Sequence, residues 1–174
     1  MLLYLLRHAP AESRDARRWP DDALRPLAVD GMERMRLAAR GMDALGLSFD
    51  LIFTSSYMRA RQTADIVSRR FPDVPLVEHR ALIPEMGIDA IRAMLRAAPG
   101  PLSSVLLVGH EPDLGELACA LLSGETGAWL PLKKGGLVCL ELERLDIVPS
   151  PTRLCWAVPP RVLRALGQGE SVKG

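Results

Sequence analysis

Three short segments end apolar runs in side chains suited to phosphoryl chemistry. Leu5-Leu6-Arg7-His8-Ala9-Pro10 closes an apolar start, Thr54-Ser55-Ser56-Tyr57-Met58-Arg59 follows Leu51-Ile52-Phe53, and Leu106-Leu107-Val108-Gly109-His110-Glu111-Pro112 closes a third run. Two histidines and two arginines brought together can transfer a phosphoryl group with no metal. One neutral imidazole attacks phosphorus in line and becomes a phosphohistidine, which water hydrolyses later. The guanidinium groups clamp the equatorial oxygens with bidentate contacts and stabilise the charge of the transition state. Their charge also lowers the affinity of the nearby imidazoles for protons, which keeps the nucleophile free. The other nitrogen of the attacking ring needs an acceptor to fix its tautomer, and a backbone carbonyl in the loop after the first strand is the candidate.

Short apolar runs alternating with segments of helical period predict an α/β fold with a mostly parallel sheet. Strands are expected over residues 2–6, 51–54, 76–78, 104–109, 137–142 and 154–158, the last two as an antiparallel hairpin at the sheet edge joined through Pro149-Ser150-Pro151. Helices are expected over 31–45, 58–70, 88–97 and 113–122. The first keeps Met32, Met35, Ala38, Ala39, Met42 and Leu45 on one face, and Asp30 with Glu33 supplies a capping pattern. In open α/β sheets ligands bind outside the carboxyl ends of the strands. That edge is where Arg7-His8, Thr54-Ser55 leading to Arg59, and Gly109-His110 would converge.

With 174 residues the chain suits one domain, expected over 1–166, followed by a disordered tail over 167–174. The 48% hydrophobic and 25% charged fractions are those of a globular protein, and a formal net charge of +1 gives no reason to expect a nucleic-acid partner. Cys119, Cys139 and Cys155 lie in apolar stretches without paired spacing, and read as buried hydrophobes in a reducing compartment. Arg7 and His8 interrupt the apolar start too early for a signal peptide or a membrane span, so a cytoplasmic protein is expected.

The quoted segments resemble the histidine phosphatase superfamily, also called phosphoglycerate mutase-like. Arg7-His8-Ala9 stands where the family has Arg-His-Gly, Arg59-Ala60-Arg61-Gln62-Thr63-Ala64 resembles its Arg-Ala-x-Gln-Thr helix start, and Val108-Gly109-His110-Glu111-Pro112 resembles its second-histidine segment. The resemblance implies a three-layer α/β/α sandwich, His8 as the phosphorylated nucleophile, and Arg7, Arg59 and His110 as phosphoryl ligands, with no cofactor. Small size, Arg25-Pro26-Leu27 before Asp30-Gly31, and Leu132-Lys133-Lys134-Gly135-Gly136 are similar to SixA-type phosphohistidine phosphatases. A histidine-phosphorylated phosphotransfer protein is then the implied substrate. The alternatives are a phosphomonoesterase of small molecules, of sugar phosphate or phosphoglycerate type, and a catalytically silent module that binds phosphoproteins. A mutase is disfavoured because no segment reads as a lid.

Several residues carry two readings. Ala9 in place of glycine demands a backbone angle that alanine tolerates. Glu85, in Leu82-Ile83-Pro84-Glu85-Met86, is the candidate general acid or an exposed loop carboxylate. Ser55 either contacts phosphate or caps the following helix, and Glu111 either orients His110 at the binding site or is a solvated turn residue. Arg61 is expected in a salt bridge or in solvent, and His79 at the surface. Lys133-Lys134 forms a basic turn or steers an acidic partner, while Arg14, Arg17, Arg18 and Trp19 form a solvated loop or grip a protein substrate.

Overall fold

A computed structural model describes residues 1–100, 102–125, 127, 129–143 and 151–169. The elements are β1 (Leu2–Arg7), α1 (Val29–Ala44), β2 (Leu51–Thr54), α2 (Met58–Ser68), β3 (Leu76–Glu78), α3 (Ile88–Arg96), β4 (Ser104–Gly109), α4 (Asp113–Ser123), β5 (Leu137–Leu142), β6 (Thr152–Val158) and α5 (Pro160–Gly167). One six-stranded sheet has the order β3-β2-β4-β1-β5-β6. The strands β3, β2, β4 and β1 are parallel, whereas β5 runs antiparallel to both β1 and β6.

Both faces of the sheet are covered, which explains why its central strands read as unbroken apolar runs. Every residue of β4 is buried. In β1 the side chains alternate: Leu3 and Leu5 join the cluster that contains Ile91 and Leu95 of α3 and Leu114, Leu117 and Leu121 of α4. Tyr4 and Leu6 join the opposite cluster, with Met35 and Met42 of α1, Ala60 and Val67 of α2 and Leu163 of α5. This is the three-layer α/β/α sandwich that the resemblance implied. Among the described residues no helix is long and apolar enough to cross a membrane.

The structure departs from the expected elements in four places. Helix α1 begins at Val29, with Ala28 as a cap that makes no side-chain hydrogen bond, so the Asp30 and Glu33 capping pattern is not used. Asp30 lies inside the first turn and pairs with Arg34 at 2.9 Å. The chain enters this helix early because the Ala28 amide donates to the Pro10 carbonyl at 3.1 Å, and Gly31 packs on the same carbonyl, where a Cβ would stand 2.0 Å from the oxygen. Second, Leu45 caps the end of α1 and is exposed instead of continuing its apolar face. Third, α5 was not anticipated; only its Leu163 is buried, a signal too sparse for periodicity to reveal. It places the start of the expected tail, Gly167 to Gly169, in a helix end and turn, and residues 170–174 lie outside the described residues. Fourth, Cys119 and Cys139 are buried but Cys155 is only partly so, and all three are free. The antiparallel β5–β6 pair is present at the sheet edge, while Pro149 and Ser150 of the expected connection lie outside the described residues.

Candidate active site

The chain leaves β1, passes to β2 and β3, and returns to fill the place between β2 and β1 with β4. The carboxyl ends of β1 and β4 are therefore adjacent at the point where the strand order reverses. Arg7 pairs in register with Gly109, the His8 amide donates to the Gly109 carbonyl at 3.0 Å, and the Ser55 amide donates to the Val108 carbonyl at 3.0 Å. This continuation of the ladder brings the rings of His8 and His110 to 5.1 Å between centroids. Arg59 enters the same space from the first turn of α2.

The His8 ring is fixed in one tautomer. Its Nδ1 lies 2.7 Å from the Ala9 carbonyl oxygen, which can only accept, so Nδ1 carries the proton and Nε2 keeps a free lone pair. Burial, opposed by that carbonyl and reinforced by the charges of Arg59, Arg7 and Lys134, lowers the His8 pKa to about 3. The loop holding the ring is itself tied down: the Ala9 amide donates to Thr63 Oγ1 at 3.1 Å, and the Thr63 hydroxyl donates to the Arg59 carbonyl at 2.7 Å. Ala9 satisfies the backbone demand at this turn, since Glu85 is the one non-glycine residue with positive φ among the described residues.

His110 is buried as deeply as His8. Its Nε2 hydrogen-bonds Ser55 Oγ at 3.0 Å, and that oxygen also accepts the Tyr57 amide at 3.2 Å. The Tyr57 ring stands edge-on to the imidazole at 5.4 Å. Burial, followed by His8, Arg59 and Arg7, lowers the His110 pKa to about 2. Ser55 is fully buried behind His110, where it orients the ring instead of capping α2.

Both arginines are anchored by hydrogen bonds from their guanidinium groups. Arg7 donates from NH1 to the Leu132 carbonyl at 2.8 Å. Arg59 donates from NH1 to the Asp22 carbonyl at 2.8 Å and pairs through NH2 with the Asp22 carboxylate at 3.1 Å. The Nε of each is buried and has no hydrogen-bond partner among the described residues. A buried donor without an acceptor costs free energy unless a ligand supplies one.

These four side chains line a cleft of about 450 Å³ together with Glu85 and Glu111. Glu85 is exposed, with its backbone in the left-handed region at φ 69°, and its amide donates to Asp113 Oδ2 at 3.0 Å. Glu111 accepts the Leu132 amide at 3.0 Å, so it holds the segment to which Arg7 is anchored and makes no hydrogen bond to His110. Burial raises the Glu111 pKa, against the opposing effects of the Leu132 amide and Arg7.

The cleft contains residues that no motif pointed to as site residues: Asp22, Tyr57 and Arg25. Asp22 bridges two arginines, since Arg25 Nε meets its Oδ1 at 2.7 Å. Both lie around a 3₁₀ turn over Asp22–Leu24, in a loop without hydrophobic period. Arg25-Pro26-Leu27 carried part of the family resemblance, and that was the available signal. Arg14 and Lys134 also line the cleft. The Gly135 amide donates to the carbonyls of Arg7 at 3.0 Å and His8 at 3.2 Å, with φ at 75°, which sets Lys134 in the cleft with His8. Burial, then Arg7, Arg25 and Arg59, lowers the Lys134 pKa. Five cationic side chains, Arg7, Arg14, Arg25, Arg59 and Lys134, thus face three carboxylates, Asp22, Glu85 and Glu111.

Outside the cleft, Arg61 pairs with Asp65 at 2.8 Å and with Glu78, as expected. His79 is more than a surface residue: its Nδ1 accepts the Ala81 amide at 3.1 Å, and its ring meets Phe53 edge-on. Arg18 pairs with Glu12 at 3.2 Å and lies over Trp19. Among the described residues no three of His, Cys, Asp and Glu gather as a metal-binding group.

Comparison with known proteins agrees with this geometry. Residues 3–94 match the model of the histidine phosphatase superfamily (branch 1). An uncharacterised protein of Picosynechococcus sp. is 40% identical over 141 residues, covering 80% of this chain and 84% of the relative. The phosphohistidine phosphatase SixA of Escherichia coli is 28% identical over 131 residues, covering 72% of this chain and 77% of that protein. The structure of the protein histidine phosphatase SixA complexed with tungstate superposes with a TM-score of 0.77 at 25% identity, over 94% of this chain and 99% of that one.

Proposed function

The chain belongs to the histidine phosphatase superfamily, and from that premise we propose that it hydrolyses phosphohistidine on a phosphotransfer protein through a covalent phosphohistidine at His8. The observation that carries this reading is the hydrogen bond from His8 Nδ1 to the Ala9 carbonyl, which leaves Nε2 as the free nucleophile. Nε2 attacks phosphorus as the bond from phosphorus to the substrate nitrogen breaks. The electron pair of that bond leaves with the substrate imidazole, which departs neutral when its other ring nitrogen is protonated. Phosphorylated His8 keeps its Nδ1 proton on Ala9, so it too departs as a neutral ring when water attacks phosphorus.

The arginines and His110 hold the phosphoryl oxygens in this scheme. The unpartnered Nε groups of Arg7 and Arg59 suit that role, because a phosphoryl oxygen supplies the acceptor they lack. The histidines and arginines already provide nucleophile, clamp and charge, so the reaction is metal-independent and runs in excess chelator. Similarity to a phosphohistidine phosphatase and to the structure of a protein histidine phosphatase, both named SixA, supports the leaving group. The shortness of the chain between α2 and β4 supports a protein substrate: it holds β3, a 3₁₀ turn and α3 and no longer insertion to roof the cleft.

A second reading rests on Glu85. A carboxyl group in the cleft wall can, in its protonated form, pass that proton to an alkoxide leaving group and become the carboxylate, and so favours hydrolysis of small phosphomonoesters. Phosphate release from a histidine-phosphorylated phosphotransfer domain and from a small aryl phosphate, with His8→Ala alongside wild type, separates these readings. Strong preference for the protein with an inert variant is the expected result. Turnover of the small phosphate alone moves the assignment to the metabolite phosphatase, and turnover of neither moves it to a silent binding module.

A further inference from the structure

Cys139 and Cys155 are both free thiols, and the sheet sets them against each other at its antiparallel edge. In the β5–β6 ladder Cys139 stands opposite Trp156 and Leu140 opposite Leu154, with a register shift between Cys139 and Leu140. Cys155 is therefore the extra residue of a β-bulge, and Cys155 and Trp156 together oppose Cys139. The bulge also settles the face. Successive residues of a regular strand point to opposite sides of a sheet, yet Cys155 and Trp156 both pack against the cluster that holds the buried Cys139 and Tyr4. Tyr4 is the partner of Cys139 on its other side, in the β1–β5 register. Burial first, then the neighbouring Cys155, pushes the Cys139 thiol up to about 12, with a hydrogen bond to Tyr4 acting the other way. Opposed positions of an antiparallel ladder have Cα atoms about 4.5–5.5 Å apart, inside the roughly 4.4–6.8 Å that a disulfide spans.

We infer that Cys139 and Cys155 form a reversible oxidation site, in which a peroxide oxidises Cys155 and Cys139 then closes an intramolecular disulfide. Exposure sets the order of events. Cys139 is 2% exposed, whereas Cys155 is partly exposed on the edge strand β6. The Cys155 sulfur, as thiolate, attacks one oxygen of hydrogen peroxide and the O–O bond breaks. Cys155 becomes a sulfenic acid, and the other oxygen leaves as hydroxide, which takes up the Cys155 proton to become water. The Cys139 sulfur next attacks the Cys155 sulfur; the S–S bond forms, the S–O bond breaks, and the hydroxyl leaves as water with the Cys139 proton. Two thiols lose two hydrogens, and the peroxide is reduced to two waters. Cys119 takes no part: it is fully buried on α4, whose leucines pack on the opposite face of the sheet. Neither Cys139 nor Cys155 lines the catalytic cleft, so this chemistry is independent of the substrate proposed for His8.

The test exposes the reduced protein to a small excess of hydrogen peroxide, alkylates the remaining thiols under denaturing conditions, and digests without reductant for mass spectrometry. The expected result is a peptide pair joined through Cys139 and Cys155, with Cys119 alkylated, and two alkylatable thiols again after dithiothreitol. In Cys139→Ala, Cys155 should stop at the sulfenic acid and be captured by a dimedone probe. In Cys155→Ser, Cys139 should stay a thiol at the same dose. This second variant changes a partly exposed position, so it keeps the order of events testable if the buried substitution prevents folding. The assignment is overturned if both cysteines of wild type remain free thiols, if Cys155 passes to sulfinic acid without a link, or if the link joins two molecules.

Discussion

Asp22 grips Arg59 twice, accepting from NH1 at its own backbone carbonyl at 2.8 Å and from NH2 at its carboxylate at 3.1 Å. The same carboxylate accepts Arg25 Nε at 2.7 Å. The hydrogen bond from Arg25 is the main cause that holds the Asp22 carboxyl below the usual carboxylate range, with Arg59 adding to it against a smaller effect of burial. A depressed pKa means that this contribution is present above the unfolded value and is lost only as pH falls through the folded one, so the grip survives mild acid.

Asp22→Asn leaves the backbone contact and removes the ion pair, freeing Arg59 to turn away from the phosphoryl position. The expected loss in kcat/KM on the aryl phosphate is roughly ten- to a hundredfold, with thermal stability nearly unchanged. Steady-state kinetics with a melting curve checks this, and an unchanged kcat/KM would remove Asp22 from any positioning role.

Two buried neutral imidazoles make stability depend on pH. The folded values of about 3 for His8 and about 2 for His110 lie below the ordinary value of 6.5. The unfolded chain therefore binds more protons over that interval, and stability is full above about pH 6.5 and declines as pH falls below it. Each ring accounts for roughly 2 kcal/mol lost between pH 7 and 5. Urea unfolding at the two pH values should show the decline in wild type and a much flatter response in His8→Gln/His110→Gln.

Glu85→Gln separates the leaving groups. Hydrolysis of an alkyl phosphate should fall by about 10²- to 10⁴-fold, because a poor alkoxide needs a proton donor. Phosphohistidine hydrolysis should hold within a few fold, since its imidazole leaves neutral once its far nitrogen is protonated. Parallel assays on both substrates decide it, and equal losses on the two would refute the assignment.

Thr63 links the loop after His8 to the helix of Arg59, accepting from the Ala9 amide and donating to the Arg59 carbonyl. Thr63→Val preserves shape and strands a buried amide. The expected cost is about 1–3 kcal/mol, read from denaturant midpoints, together with slower turnover as the His8 loop loosens. Thr63→Ser, which keeps the hydroxyl, should restore most of both, and a fully stable Thr63→Val would show that the bond is dispensable.

Local pattern was sufficient for much of the architecture. Four strand ranges, 51–54, 76–78, 104–109 and 137–142, coincide with β2 to β5, because apolar runs bounded by polar turns are legible without tertiary knowledge. Arg7, His8, Arg59 and His110 were legible for the same reason, since each directly follows such a run or opens the helix beyond it. The start of α1 was not, because it depends on Pro10, some twenty positions away, taking the Ala28 amide. Helix α5 was not, because a single buried leucine has no period.

The residues that decide how the site works belong to the tertiary level. Residue types and spacing determined that two histidines and two arginines would stand at the ends of neighbouring strands of an α/β sheet. Only the folded chain decided that Asp22 would pair with both Arg25 and Arg59, that Ser55 would stand behind His110, that Glu111 would hold Leu132, and that Lys134 would line the cleft with His8. These contacts join residues far apart in sequence, from loops without hydrophobic period. Their partners are chosen by where the strand ends happen to meet, and no local pattern of side chains encodes that.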